Sequence, residues 1–439
     1  MDQIPTKRTF RHYIYFLFGQ QFSMLGSLIV GFVITWWITV ETGNPIFLSL
    51  SVFLMFIPQI VLTPLSGVLA DRWNRKTIIL ISDSLQAFVT FLLFLFFLMD
   101  IHNIWLILAI NTFRAALFAF QLPAVQSLIP VMVPKDNLSR INGLNFLFSG
   151  LIFSIGPVIA ATLLEFFPVT QIFFIDIVTF LIALIPLLLI KIPLISRTPE
   201  EKEHQSFVRE FKTGLSTIKT IPGLLAMIAF AMIWNFIHRP WAVLTPYFVR
   251  FTHDGSAFDL ALLMTSFQVA NIIGSLIMSI KKTWKHKIKL NIIGASLYFV
   301  GQLPAIFAPK GNFLLMMLSL FGGAIIFPLT VSTYLAIIQN VVPKDKIGRV
   351  MSLDHMISMA IAPIGALLAG PLVELIGIVN LFFICALIGI VFPYFIWFFT
   401  KIRQLEIIDQ EKMMESEKAV EDSEVPRLIE VAQISEPIE

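Results

Sequence analysis

Long apolar runs broken by short polar stretches dominate this chain. Twelve of them, at roughly residues 13–40, 46–70, 77–99, 104–130, 141–164, 169–190, 222–249, 258–280, 289–308, 312–340, 347–374 and 379–400, are long enough to cross bilayer hydrocarbon as helices. The pattern predicts an all-α integral membrane protein with twelve transmembrane helices. The longest internal polar stretch, residues 191–221, falls between the sixth and seventh spans. The expected organisation is therefore a six-helix bundle over 1–190, a cytoplasmic linker over 191–221, a second six-helix bundle over 222–400 and an acidic tail over 401–439. Within the tail, residues 402–420 carry an amphipathic pattern that fits a helix at the membrane surface or a solvated segment; the remainder has the composition of disorder.

Composition agrees. The chain is 57% hydrophobic and 13% charged with a mean hydropathy of +0.85, which excludes a soluble domain of 439 residues. The positions of the charges matter more than their sum. Across the twelve spans, 27 of the 31 Lys and Arg fall on the side of the N-terminus, and only Arg250 and Lys310 fall on the other. By the positive-inside rule, both termini are expected in the cytoplasm and the chain in the cell membrane. The first apolar run, preceded by Lys7, Arg8 and Arg11, is too long for a signal-peptide core and reads as a retained span.

The sequence also excludes several chemistries. Its single cysteine, Cys385, permits neither an intramolecular disulfide nor a cysteine metal site. The seven His lack metal-ligand spacing, so no metal is expected. There is no phosphate-binding glycine loop of the ATPase kind and no Ser or Cys with a plausible base. Enzymatic activity, a bound cofactor and nucleic-acid binding are accordingly not expected.

The two halves are related in sequence. Val133-Pro-Lys-Asp136 recurs as Val342-Pro-Lys-Asp345, an offset of 209. At the same ungapped offset Asn103 meets Asn312, Arg140 meets Arg349, Leu144 meets Leu353, Glu165 meets Glu374, and Phe173-Phe-Ile175 meets Phe382-Phe-Ile384. The spans therefore form two six-helix pseudo-repeats. Features shared by both halves fit structural work. Unshared charges are the better functional candidates: Asp71 meets Ile280, Asp83 meets Ile292, Arg114 meets Gly323 and Asp176 meets Cys385.

Those charges have specific physical requirements. The stretch from Gly67 to Lys76 is a charge-dense hinge between spans two and three, with Asp71, Arg72, Arg75 and Lys76 at the membrane surface. Gly67 shares a helix face with Asp71 and would admit a close helix neighbour. Arg114 lies about ten residues into its span. A cation there must face the bundle interior and find a carboxylate, a carbonyl or water. Coupling or substrate binding and a structural ion pair are both open readings. Asp83 lies near the basic end of span three and Asp176 near the opposite end of span six. An isolated buried carboxylate can carry a proton, whereas one at an interface serves as a cap or an ion-pair partner. Arg239, between His238 and Pro240, lies toward the outer part of span seven. In span five, Gly156 and Pro157 sit in a run of small residues, Gly150-Leu-Ile-Phe-Ser-Ile-Gly156-Pro157-Val-Ile-Ala160-Ala161, that fits a bent, closely packed helix.

The spacing G-x-x-x-D-R-x-x-R-K at Gly67 to Lys76 resembles the signature loop between helices 2 and 3 of the major facilitator superfamily. The run ending in Gly156-Pro157 resembles a degenerate antiporter motif of that family, with Ala160 and Ala161 in place of its final glycines. Arg114 resembles the helix 4 arginine of many of its antiporters, though Ala115, Ala116 and Leu117 follow where a glycine is usual. With Asp83, Pro123-Ala, the Val-Pro before Lys135 and Phe174-Ile-Asp176, the chain is similar to the macrolide-efflux-like group of twelve-helix drug exporters over roughly residues 13–400. The resemblance implies export of bulky amphipathic compounds by alternating access, driven by proton antiport. It also implies a helix 2–3 loop that latches the cytoplasmic side. The implied partners are a small amphipathic substrate, protons and the lipid bilayer, with the protein a monomer. Export of a siderophore or lipid, uptake, and a non-transporting sensor or scaffold on the same fold remain alternatives.

Overall fold

The computed structural model describes residues 5–190, 207–281 and 284–415. The first half contains α1 (Lys7–Thr42), α2 (Pro45–Arg72), α3 (Arg75–Leu98), α4 (Ile104–Gln126), the one-turn α5 (Ile129–Met132), α6 (Leu138–Phe166) and α7 (Val169–Leu189). A linker helix, α8 (Phe207–Thr220), precedes α9 (Leu224–Tyr247), α10 (Ala257–Ile280) and α11 (Lys287–Ile306). Two broken spans follow, α12 (Phe313–Ala324) with α13 (Phe327–Val341) and α14 (Ile347–Ala360) with α15 (Ala362–Ile376), then α16 (Ile378–Phe399) and a tail helix, α17, over 402–415. No strand occurs among the described residues.

Among the described residues, eleven helical segments are long and apolar enough to cross a membrane. The twelfth span is α11, whose apolar run is interrupted by the buried polar residues Asn291, Ser296 and Gln302. Two of these bond across to neighbouring helices. Asn291 donates to the Thr330 carbonyl at 2.6 Å, and Ser296 donates to the Ile390 carbonyl at 3.0 Å.

Small residues set the helix spacing, as expected where lipid supplies little drive for association. Gly26 of α1 leaves room for Thr179 of α7, and Gly301 of α11 lies against Gly323 of α12 with backbone in contact. In the small-residue run of α6, Gly156 abuts Leu28 of α1 and Gly150 faces Ile272 of α10. The repeat is visible in local structure too. Asn103 caps α4 by accepting from the Trp105 and Leu106 amides, and Asn312, its partner at the offset of 209, caps α12 by accepting from the Leu315 amide. A side-chain cap of this kind satisfies amides that the first helical turn leaves orphaned.

The halves meet along α2–α15, α6–α10 and α2–α9. These contacts lie away from the basic face, the face that carries the α2–α3 turn, the α5–α6 turn and α8. Gly370 of α15 packs against the backbone of Pro45 and Ile46 at the start of α2. Arg239 of α9 lies over the Phe56 ring of α2 at 5.0 Å. Toward the basic face the seam opens: α14 packs on α8, α9, α13 and α15 instead, and nothing lies within 4 Å of a Cβ placed on Gly67. The close helix neighbour expected at Gly67 is not found among the described residues in this conformation.

Polar termini are tied down on both faces. On the face opposite the basic one, Lys310 pairs with Asp254 at 2.6 Å and holds that carboxyl below the usual carboxylate range. Residues 191–206 and 416–439, parts of the expected linker and tail, lie outside the described residues. The linker helix α8 packs on α14 and α9. The acidic face of α17 is docked rather than solvated or laid on lipid. Asp409, 1% exposed, accepts two bonds of 3.0 Å from the buried Lys287 ammonium and one of 2.8 Å from Asn340. Glu406 lies 2.9 Å from His286, while Ile402 and Leu405 enter the apolar core of the second half. The reason is chemical: Lys287 sits at the buried start of α11 and needs an anion, and α17 supplies one.

Removing one partner of a buried ion pair costs about 3–5 kcal/mol. Asp409→Ala should therefore undock α17 and raise amide hydrogen exchange over 402–415 by roughly 100-fold, with the middle of α11 unchanged. Unaltered protection would mean that Ile402 and Leu405 hold the helix unaided.

Candidate functional site

Polar residues are scarce in these helices, and in the first half they converge. A cavity of about 440 Å³ lies among α1, α3, α4, α6 and α7, with Asp83 and Asp176 both on its wall. The sequence places these carboxylates toward opposite ends of their spans; helix packing brings them to one cavity. Aromatic faces from Tyr13, Phe118 and Phe180 and amides from Asn142 and Asn145 complete much of the lining. No Lys or Arg is among the lining residues.

Asp176 is fully engaged. Its Oδ2 accepts from Arg114 Nη2 at 3.1 Å and from Thr90 Oγ1 at 2.8 Å, and its Oδ1 accepts from Ser27 Oγ at 2.9 Å. Both charged partners are buried, Arg114 at 7% exposure and Asp176 at 3%. Arg114 thus meets the carboxylate that its position in the span requires. The pair crosses from α4 to α7 and is cross-linked through α3 and α1, so four helices share one electrostatic knot. Arg114 Nε stays buried without a hydrogen-bond partner, so the guanidinium is held through its terminal nitrogen.

Asp83 is engaged differently. It is 4% exposed and has no cation within ion-pair distance among the described residues. Its partner is the end of an amide chain: Gln86 donates to Gln121 at 3.1 Å, Gln121 donates to Gln20 at 3.1 Å, and Gln20 donates to Asp83 Oδ2 at 2.9 Å. Hydrogen bonds in such a chain polarise one another in a low-dielectric interior. Asp83 Oδ1 is buried and has no hydrogen-bond partner among the described residues. An oxygen in that state is costly as part of an anion and unremarkable once the carboxyl bears a proton.

The other sequence candidates fall around this centre. In the α2–α3 turn, Arg75 Nη1 donates to the Ser127 carbonyl at 3.1 Å, and Lys76 Nζ donates to the Leu188 and Ile190 carbonyls at 2.7 and 2.8 Å. The turn is thereby tied to the ends of α4 and α7. The side chains of Asp71 and Arg72 lie outside those described. Arg239 faces the seam between the halves against Phe56, with its Nε buried and without a hydrogen-bond partner. His238 shares a hydrogen bond of 2.6 Å with Tyr298 and stacks on Trp234, a packed aromatic cluster. Gly156 and Pro157 are buried in α6 behind the cavity. Sequence reasoning did not single out Gln20, Gln86, Gln121, Thr90 or Ser27. The glutamines had a signal, as amides inside apolar spans that must find partners.

The family model of the Major Facilitator Superfamily matches residues 16–353, with a second match over 240–422. The chain belongs to that superfamily. Macrolide efflux protein A of Streptococcus pyogenes is 26% identical over 394 residues, covering 89% of this chain and 96% of that protein. The Staphyloferrin A transporter of Staphylococcus aureus is 21% identical over 395 residues, covering 90% and 97%. Among solved structures, a bacterial homologue of the iron transporter ferroportin in its inward-facing state superposes with a TM-score of 0.67 at 13% identity, covering 88% of this transporter and 98% of that chain. The similarity to solved structures establishes the twelve-helix fold in two six-helix halves.

Arg114→Leu strands the Asp176 carboxylate and should cost about 3–5 kcal/mol, whereas the double variant Arg114→Leu, Asp176→Leu should recover most of that loss. Thermal unfolding of the four purified proteins in detergent checks the coupling. Additive losses would show that the two residues do not act as a pair.

Proposed function

We propose that this transporter exports bulky amphipathic compounds, macrolide-like drugs among them, by proton antiport. It would act as a monomer in the cell membrane with both termini, and so the basic face, in the cytoplasm. The observation that carries the reading is Asp83, a buried carboxylate without a cation on the wall of a cavity of about 440 Å³. A proton is the ligand such a group accepts most readily, and protonation leaves the cavity wall neutral for the step in which the halves rock. The superfamily assignment, the relation to Macrolide efflux protein A and the amide and aromatic lining all favour a large, weakly polar cargo.

In the mechanism that follows, the form described here is open to the cytoplasm. Cargo enters between the halves as Asp83 gives up its proton along the path open to the basic face. Rocking about the α2–α15 and α6–α10 seams then closes that face. The Gly67–Lys76 turn latches the closed side. In this reading Gly67 admits the approaching second half, Asp71 makes the latch contact, and Arg72, Arg75 and Lys76 anchor the turn. Proton binding from outside resets Asp83 and releases the cargo. Arg114 and Asp176 hold the frame of the first half, Gly156 and Pro157 shape the α6 wall, and Arg239 slides on Phe56 at the seam. A siderophore exporter is the second reading, favoured by the relation to the Staphyloferrin A transporter. A cavity lined by two carboxylates and no Lys or Arg opposes an anionic chelate.

Accumulation of erythromycin and of a fluorescent dye in inside-out vesicles tests the proposal. Accumulation should require an imposed proton gradient, and Asp83→Asn should lower it at least tenfold with insertion intact. Accumulation indifferent to the gradient would remove proton coupling. Asp71→Asn should also cut transport without affecting insertion. Full activity in that variant would dismiss the latch.

A further inference from the structure

Among the described residues, the spanning helices of the second half bury one carboxylate, Asp354 of α14, which is 7% exposed. No Lys or Arg lies within ion-pair distance of it among the described residues. Its Oδ1 accepts a hydrogen bond from the Tyr334 hydroxyl of α13 and another, at 3.3 Å, from Ser358 Oγ one turn along α14. Its Oδ2 receives none from the described residues. The adjacent base, His355, is exposed. Asp354 is thus hydrogen-bonded by neutral groups and has no Lys or Arg partner among the described residues, unlike Asp176 with its arginine.

The internal repeat says where this cluster lies. Subtracting the offset of 209 places Tyr334 on Val125, Asp354 on Asn145 and Ser358 on Ser149. All three first-half residues line the cavity that holds Asp83. The repeat therefore places the second-half trio, on α13 and α14, at positions equivalent to part of that wall. At its centre an amide in one half has become a carboxylate of the same size and shape in the other. The first half has no carboxylate at that repeat position, and the second has Ile292 where the first has Asp83. The two halves thus each contribute one uncompensated carboxylate, from different helices of the repeat.

We infer that Asp354, positioned by Tyr334 and Ser358, is a cation-binding subsite that receives the protonated amine or onium group of an amphipathic substrate. A buried carboxylate without a partner costs free energy, and a cationic ligand removes that cost by forming the missing pair. Half-buried Tyr334, whose hydroxyl meets Asp354, gives it an aromatic neighbour suited to the carbon skeleton around such a charge. The subsite extends the efflux reading and rests on it for the direction of movement. Binding itself can be measured without transport.

The test is equilibrium binding to the purified protein of tetraphenylphosphonium, a permanent monocation, alongside Nile red, a neutral amphiphile. Asp354→Asn places in the second half the residue the first half already carries, so the fold should accept it; the thermal midpoint checks this. Tetraphenylphosphonium affinity should fall at least tenfold, with Nile red affinity within twofold of the parent protein. Tyr334→Phe should weaken the cation by a smaller factor. Unchanged cation affinity in Asp354→Asn, a parallel loss of both probes, or no binding of the cation by the parent protein would each overturn the inference. Cation binding that depends on Asp354 without gradient-driven accumulation in vesicles would instead overturn the efflux reading and leave the subsite standing.

Discussion

A guanidinium cannot be left alone in hydrocarbon, and the architecture of the first half follows from that constraint. Arg114 reaches Asp176 across the bundle at 3.1 Å, while Thr90 and Ser27 complete the carboxylate's bonds. The knot ties α1, α3, α4 and α7 together at mid-bundle. Close packing at Gly26, where a larger residue would collide with Thr179 one turn beyond Asp176, allows α1 to approach near enough for Ser27 to take part. With one carboxylate neutralised in this way, the other is free to do something else. Asp83 has amides for company and no cation, and the chain Gln86–Gln121–Gln20 holds it in position without cancelling its charge. A frame charge and a working charge share one cavity because their partners differ.

The second half handles its buried polar groups in another way. Most are absorbed by backbone carbonyls, as with Asn291 and Ser296, or by a docked segment, as when Asp409 of α17 meets Lys287. An ion pair at the end of the chain therefore secures the basic ends of α11 and α13, with Asn340 as the second anchor. Asp354 differs in another respect: its bonds come from the hydroxyls of Tyr334 and Ser358, and the sequence repeat aligns it with Asn145 on the wall of the first-half cavity.

Much of this was legible before any coordinates. Hydropathy marks the spans because lipid demands long apolar helices. It is weakest at α11, whose Asn291, Ser296 and Gln302 are turned inward. The offset of 209 exposed the duplication, and the Asn103 and Asn312 caps show both copies using the same residue for the same bond. The depth of Arg114 in its span demanded a partner, but naming Asp176, 62 residues away, needs the α4–α7 approach. The three glutamines were visible singly, yet their convergence on Asp83 is a property of helix packing. The acids of α17 showed as a helical stripe, and only the fold reveals that Lys287 waits beneath them.

The proposed antiport turns on Asp83 giving up its proton to solution as cargo binds. Proton release on adding erythromycin to the purified transporter, followed with a pH indicator in weakly buffered detergent solution, tests it most directly. The account predicts release that saturates with the drug and disappears in Asp83→Asn while drug binding persists. Release undiminished in that variant, or binding with no release by the parent protein at any pH, would contradict it.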